Sequence, residues 1–214
     1  QQRRFELVRA SDLAVVGRVD LLAHEQLVAG VSAYYGGTTR NRPKPDLVST
    51  CSDAAQDEVA PCGYVKAPLL LLDAHAHLQL GRLRASALVM WGHLDNAAAI
   101  SSRNERLSNA LGVARTPVGS QALAVFAELG ADVLPPNALH RLEPFVRFDF
   151  YDTMFAVEAG QFDNPRFKRT VFALGVAYTF AKSVVLKLDA SHRRFGSSSL
   201  HPENSLRLAA GFVY

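Results

Sequence analysis

The sequence predicts an all-β fold, an antiparallel transmembrane up-and-down β-barrel, and three observations carry that prediction. Apolar and polar residues alternate with period two through most of the chain. The alternating segments run to ten residues or more, longer than the roughly 5–6 usual for a strand and near the ~9–11 that cross a bilayer on a tilt. The connections between them are short and long in turn, the layout of an outer-membrane meander. The 214 residues suffice for one large domain or two small ones; the pattern makes them one barrel domain, 1–214. The 23 Lys+Arg and 20 Asp+Glu leave a net charge of +3, too small and too interspersed to argue for nucleic acid. A 49% hydrophobic content excludes disorder for the chain as a whole. No apolar run approaches the ~18 residues of a membrane-spanning helix. The opening Gln-Gln-Arg-Arg leads into no apolar stretch of the signal-peptide kind.

Nine segments are expected as strands: about 13–23, 27–38, 67–80, 83–95, 118–134, 139–156, 167–180, 183–196 and 205–214. The first carries Arg18 and Asp20 on its polar side. The third carries Asp73 with His75, His77 and Gln79, the fourth Arg84, and the fifth Glu128 and Asp132. In the sixth, Leu142, Pro144, Val146, Phe148 and Phe150 oppose Glu143, Phe145, Arg147, Asp149 and Tyr151. The seventh carries Arg169. In the eighth, Val184, Leu186, Leu188 and Ala190 oppose Val185, Lys187, Asp189 and Ser191, with Arg193 further on. In the ninth, Leu206, Leu208, Ala210, Phe212 and Tyr214 oppose Ser205, Arg207, Ala209, Gly211 and Val213. Short connections fall near 24–26, 81–82, 135–138 and 181–182, long ones at 39–66, 96–117, 157–166 and 197–204. Inside the second long loop, Asn96 can cap a helix over Ala97–Leu111, with Ile100, Leu107 and Leu111 on one stripe and Gly112 as its stop.

Alternation alone does not say which face meets water. In a soluble sheet the apolar face is core and the polar face is wet; in a membrane barrel the apolar face meets lipid and the polar face lines the lumen. The polar faces here carry seven acids and seven bases, while the central apolar faces carry no formal charge. Trp91, Tyr178, Phe180, Phe212 and Tyr214 fall near the ends of the apolar faces, the placement of an aromatic girdle at a bilayer interface. A soluble β-sandwich is the competing fold.

Several segments also resemble a family. The closing Phe212-Val213-Tyr214 resembles the terminal aromatic signature of bacterial outer-membrane proteins. Residues 142–153 and 170–194, with Gly17-Arg18-Val19-Asp20 and 127–134, resemble strands of the phosphate-selective porin O and P family and related porins. The resemblance implies a barrel of about sixteen strands in the bacterial outer membrane, of which this chain would hold the C-terminal half. It also implies that Tyr214 ends on the periplasmic side. The ninth strand back then begins outside, which an even-stranded barrel does not allow. A missing N-terminal portion, a second chain, or a short tenth strand over 4–9 would repair the parity. The long loops 39–66 and 96–117 would be extracellular.

Three smaller patterns bear on chemistry. Asp73, His75 and His77 resemble the His-x-His of amidohydrolase barrels, since period two puts both imidazoles on one face. That fold needs about 250 residues of alternating strand and helix, and one helix is found. Cys51 and Cys62 lie in the longest loop, where a disulfide facing an oxidising exterior would stabilise it by roughly 2–3 kcal/mol. No dinucleotide fingerprint, phosphate loop or nucleophile elbow is present, and nothing pairs a serine with a histidine as nucleophile and base.

The expected function is a passive outer-membrane channel for small polar or anionic solutes, not an enzyme, with no cofactor and no metal. Its partners would be outer-membrane lipid, its solutes, a chain completing the barrel, and further copies in a homotrimer. The alternatives are a non-conducting barrel or soluble sandwich serving as a binding or scaffold module in an envelope complex, and, more remotely, a hydrolase through Asp73, His75 and His77. Phosphate selectivity in the family is implied to rest on basic residues at a constriction. Here Arg84, Arg147, Arg169, Lys187 and Arg207 are the basic candidates, but the acids largely cancel them. Arg18/Asp20, Arg147/Asp149 and Lys187/Asp189 are expected to screen one another as i, i+2 neighbours, leaving a rather unselective polar lumen.

Overall fold

The computed structural model describes residues 13–38, 66–111, 116–135, 138–180 and 183–212. Among them nine strands form a single sheet: β1 (Ala14–His24), β2 (Leu27–Gly36), β3 (Leu69–Leu80), β4 (Leu83–Leu94), β5 (Gln121–Ala131), β6 (Arg141–Ala156), β7 (Lys168–Phe180), β8 (Val184–Phe195) and β9 (Glu203–Phe212). Each pairs antiparallel with its neighbour in sequence, so the spatial order is the chain order. This is the all-β up-and-down meander that the period-two pattern predicts, with boundaries within three residues of the expected ones. Cys51, Cys62, Gly112, Tyr214 and residues 4–9 lie outside the described residues.

Pairing carries one parity across the whole sheet, because opposed residues share a face. Glu128 faces Arg147, Arg147 faces Ala173, Ala173 faces Ser191, and Ser191 faces Ser205. The adjacent row runs Ala87, Ala127, Phe148, Phe172, His192 and Asn204 on the opposite side. Two irregularities, near Leu22/His24 and Gln121/Leu123, sit at strand ends and leave the central rows in phase.

Two-residue connections join β1 to β2 and β3 to β4. The second is Gly81-Arg82, where Gly81 takes φ 58°, the left-handed conformation that a tight hairpin asks of its first turn residue. The long connections gather at the other end. One contains α1 (Ala97–Leu111), as the sequence predicts, but its capping differs from expectation. Asn96 has φ 57° and its side-chain amide donates to the carbonyl of Lys66, 2.8 Å away, so it does not cap the helix with its side chain. The carboxylate of Glu158 does so from the β6–β7 connection, accepting from the amides of Ala97 (3.1 Å) and Ala98 (2.9 Å). A carboxylate there satisfies two orphan donors and opposes the positive end of the helix dipole. Ile100 of the expected stripe is buried.

No second sheet packs on this one among the described residues. β1 and β9 are its edges, and both are exposed along their full length. Being odd-numbered strands of a meander, they run in the same direction, so pairing them directly would make one parallel ladder in an antiparallel sheet.

Gly175 is fixed by close approach. A Cβ at this position would lie 2.5 Å from the carbonyl oxygen of Leu188, 2.6 Å from Cζ of Phe145 and 2.7 Å from Cβ of Asp189. One of those atoms is backbone and cannot swing aside. Gly175→Ala is expected to lower unfolding free energy by about 1–3 kcal/mol, the usual cost of overpacking. Gly17→Ala, with nothing within 4 Å of its would-be Cβ, is expected to change it by a few tenths. Denaturant titration of the two variants checks the contrast.

Candidate functional site

The charged face is the concave one. Lys187 on β8 reaches Glu128 on β5 (4.0 Å) across the two strands between them, and Arg84 on β4 reaches Glu143 on β6 over β5. Side chains separated by so many strands meet only where the sheet curls toward them. Burial runs the same way. On this face Phe145 is 4% exposed, Glu143 7% and Asp189 9%, whereas on the other Leu174 is 66% exposed and Leu208 78%. Carboxylates are enclosed and leucines are bare, the reverse of a soluble sheet.

The register places every expected strand-borne polar residue on this concave face: Arg18, Asp20, Asp73, His75, His77, Arg84, Glu128, Glu143, Arg147, Asp149, Arg169, Lys187, Asp189, Arg193 and Arg207. Asp132 lies just beyond β5, in the connection to β6, rather than within a strand. Burial disfavours its charge, but the amides of Leu134 (3.2 Å) and Leu142 (3.3 Å) and the Arg141 guanidinium (3.3 Å) outweigh that and hold its carboxyl below the usual range.

Three clusters form. Near β1, the ring nitrogens of His75 meet Asp73 (2.9 Å) and Asp20 (2.8 Å). Asp20 in turn pairs with Arg18 (2.7 Å), and the Ser32 hydroxyl donates to Asp73. In the middle, Arg84 joins Glu143 and Glu128 (3.5 Å), Arg141 joins Glu143 (3.7 Å), and Lys187 adds Glu128 while lying 4.2 Å from the centre of the Phe145 ring. Toward β9, Arg207 donates to Asp189 from Nε (2.9 Å) and Nη2 (2.6 Å), and Arg193 meets Glu203 (2.8 Å). Two of the expected i, i+2 pairs are present, Arg18–Asp20 and Arg147–Asp149 (3.0 Å). The third is not. Asp189 turns to Arg207, its partner across the β8–β9 ladder, because direct cross-strand neighbours stand closer than residues two apart along one extended strand, and Lys187 reaches Glu128 through the curl of the sheet. Arg169 is the inward strand-borne base without a carboxylate partner among the described residues. It donates to the Tyr151 hydroxyl (3.2 Å) and lies between the rings of Tyr151 (5.5 Å) and Phe195 (5.7 Å).

His75 and His77 do share a face, but they do not converge. His77 Nδ1 meets the Ser86 hydroxyl at 2.9 Å while His75 is held by the two aspartates. Among the described residues no three His, Cys, Asp or Glu side chains are grouped to hold a metal. Ser32 donates to Asp73 rather than to an imidazole, so it is no activated nucleophile.

On the apolar face, Trp91 stands toward the long-loop end, stacked on His93 at 5.8 Å, with Nε1 donating to Gln121 (3.2 Å). Tyr178 and Phe180 stand at the short-turn end against His140, with ring centres 5.8 and 5.0 Å away, and Phe212 closes β9. Between them a shallow apolar furrow crosses seven strands, lined by residues such as Ala87, Leu129, Phe148 and Leu174. Glu203, inward on β9, was not singled out in the sequence; the same alternation that marks Arg207 marks it too.

No protein-family model matches the chain, and no curated protein matches it. Neither comparison returns the porin family that its strand motifs resemble. Among solved structures the chain is similar to the beta domain of the Bordetella autotransporter Brka, at 10% identity over 95% of this chain and 73% of that one, with a TM-score of 0.38.

Proposed function

We propose that this chain forms, or forms part of, a bacterial outer-membrane β-barrel whose charged concave face lines an aqueous passage for small polar or anionic solutes. The observation that supports it is the inversion of the sheet: ion pairs sit inside the curve, and a belt of bare leucine, valine and phenylalanine sits outside. Leaving that belt in water would forgo about 25 cal/mol for every Å² of apolar surface, and no described element covers it. Lipid is the cover that suits a whole face. The outward residues from 142 to 150 on β6 span about 27 Å at ~3.4 Å per residue. Tilted by roughly 40°, they stand about 21 Å tall, close to the ~25 Å apolar band of such barrels.

In lipid no strand edge stays unpaired, so β1 and β9 need partners. Because they run the same way, antiparallel closure takes an odd number of further strands, from the same polypeptide or another chain. The sixteen-stranded barrel implied by the porin resemblance would supply seven.

Reconstituted in planar bilayers, the complete protein is expected to give discrete conductance steps. Its reversal potential in a salt gradient should be small, since the inward bases, Arg169 apart, face carboxylates. A strongly anion-selective potential abolished by Arg147→Gln with Lys187→Gln would contradict that balance. A second reading draws on the middle cluster, where Arg84, Glu143, Glu128, Lys187 and Phe145 reach across the curve. A barrel crossed by such a cluster would serve as a non-conducting scaffold. Correct insertion without conductance steps would favour it.

A further inference from the structure

The outward face of β7 and β8 is not wholly apolar. At its long-loop end Lys168 and Arg194 both project from it, and both are exposed. They are diagonal neighbours, since Arg194 is opposite Thr170, two residues on from Lys168. Diagonal positions of this kind stand roughly 7–8 Å apart. Neither has a carboxylate partner among the described residues. Lys168 lies 5.8 Å from the centre of the Phe150 ring, and Arg194 donates to His192 at 3.2 Å. Asp152, across from Lys168, keeps its carboxylate buried on its own strand, accepting from the amide of Met154 at 2.9 Å. Below Lys168 and Thr170 on β7, toward mid-strand, the face carries Phe172 and Leu174, both bare, with His192 beside Phe172 on β8.

We infer that this patch is a docking site for the phosphate headgroup of an anionic lipid, in the leaflet on the long-loop side, with its acyl chains lying along Phe172 and Leu174. The inference rests on the barrel reading above. Two unneutralised cations on a lipid-facing surface need a counter-charge there, and the bare Phe172 and Leu174 beneath Lys168 suit a ligand with a hydrocarbon body. A free phosphate would satisfy the cations and leave those two side chains bare. A lipid satisfies both.

The test uses the complete protein in phosphatidylcholine bilayers at 0.1 M salt, with trace phosphatidic acid or phosphatidylcholine spin-labelled near the chain end. Electron spin resonance reads the motionally restricted fraction of each. Phosphatidic acid is expected to be restricted in preference by about fivefold, the order given by one Lys or Arg at a lipid headgroup. Lys168→Gln with Arg194→Gln should bring the ratio to about one, whereas Lys168→Arg with Arg194→Lys should keep it. Equal restriction of the two lipids by the unaltered protein, or a preference that survives the double glutamine variant, overturns the site. Restriction of neither lipid overturns the barrel reading itself, and so separates the two failures.

Discussion

Leu174→Arg is expected to destabilise the bilayer-inserted protein by about 2–4 kcal/mol, the cost of a cation at the midplane of a lipid-facing strand. Leu174 sits at the centre of β7, 66% exposed, on the face opposite the ion pairs. In a soluble protein the same substitution at so exposed a leucine would change stability by no more than about 0.5 kcal/mol. The contrast is therefore diagnostic, and denaturant titration in lipid vesicles reads it. Ala173→Arg, one residue away but inward and buried, probes the concave face instead. Its cost would come from crowding, so it should depend on side-chain volume, and Ala173→Met should reproduce much of it.

Removing Glu143 should have the largest effect on the charged side. Its carboxylate is almost fully enclosed and sits between Arg84 and Arg141. Breaking a buried pair by deleting one partner typically costs about 3–5 kcal/mol. Here Arg84 retains Glu128 and Arg141 retains Asp132, and the two guanidiniums are 37% and 50% exposed, so the expected loss for Glu143→Ala is nearer 2 kcal/mol. Deleting one negative charge from a nearly balanced inner face should also move the reversal potential toward anion selectivity. Glu143→Gln, which keeps the volume, should show that shift with less change in conductance. A Glu143→Ala protein as stable as the parent and unchanged in selectivity would place this cluster away from both the packing and the passage.

The strands and their faces were legible because period two is local: alternation at 142–151 assigns Glu143, Arg147 and Asp149 to one side before any partner is known. The helix Ala97–Leu111 was legible for the same reason. What the sequence hid depends on partners far along the chain. Asp189 looks like the companion of Lys187, two residues away, until β9 brings Arg207 beside it and the curl of the sheet brings Glu128 within reach. Asn96 looks like a helix cap, but its backbone turns left-handed and the cap arrives from Glu158, more than sixty residues on. His75 and His77 share a face as their spacing requires, yet spacing cannot say that one is taken by aspartates on two strands and the other by a serine.

The central claim, that the apolar face is built for lipid and the charged face for the interior, is tested most directly by folding the complete protein out of urea. Diluted into lipid vesicles, it should acquire β structure and migrate on unheated gels as a compact species that boiling converts to the unfolded position. Diluted into buffer alone, it should gain no such species and should aggregate. A folded, monodisperse protein in water with no amphiphile present would contradict the account.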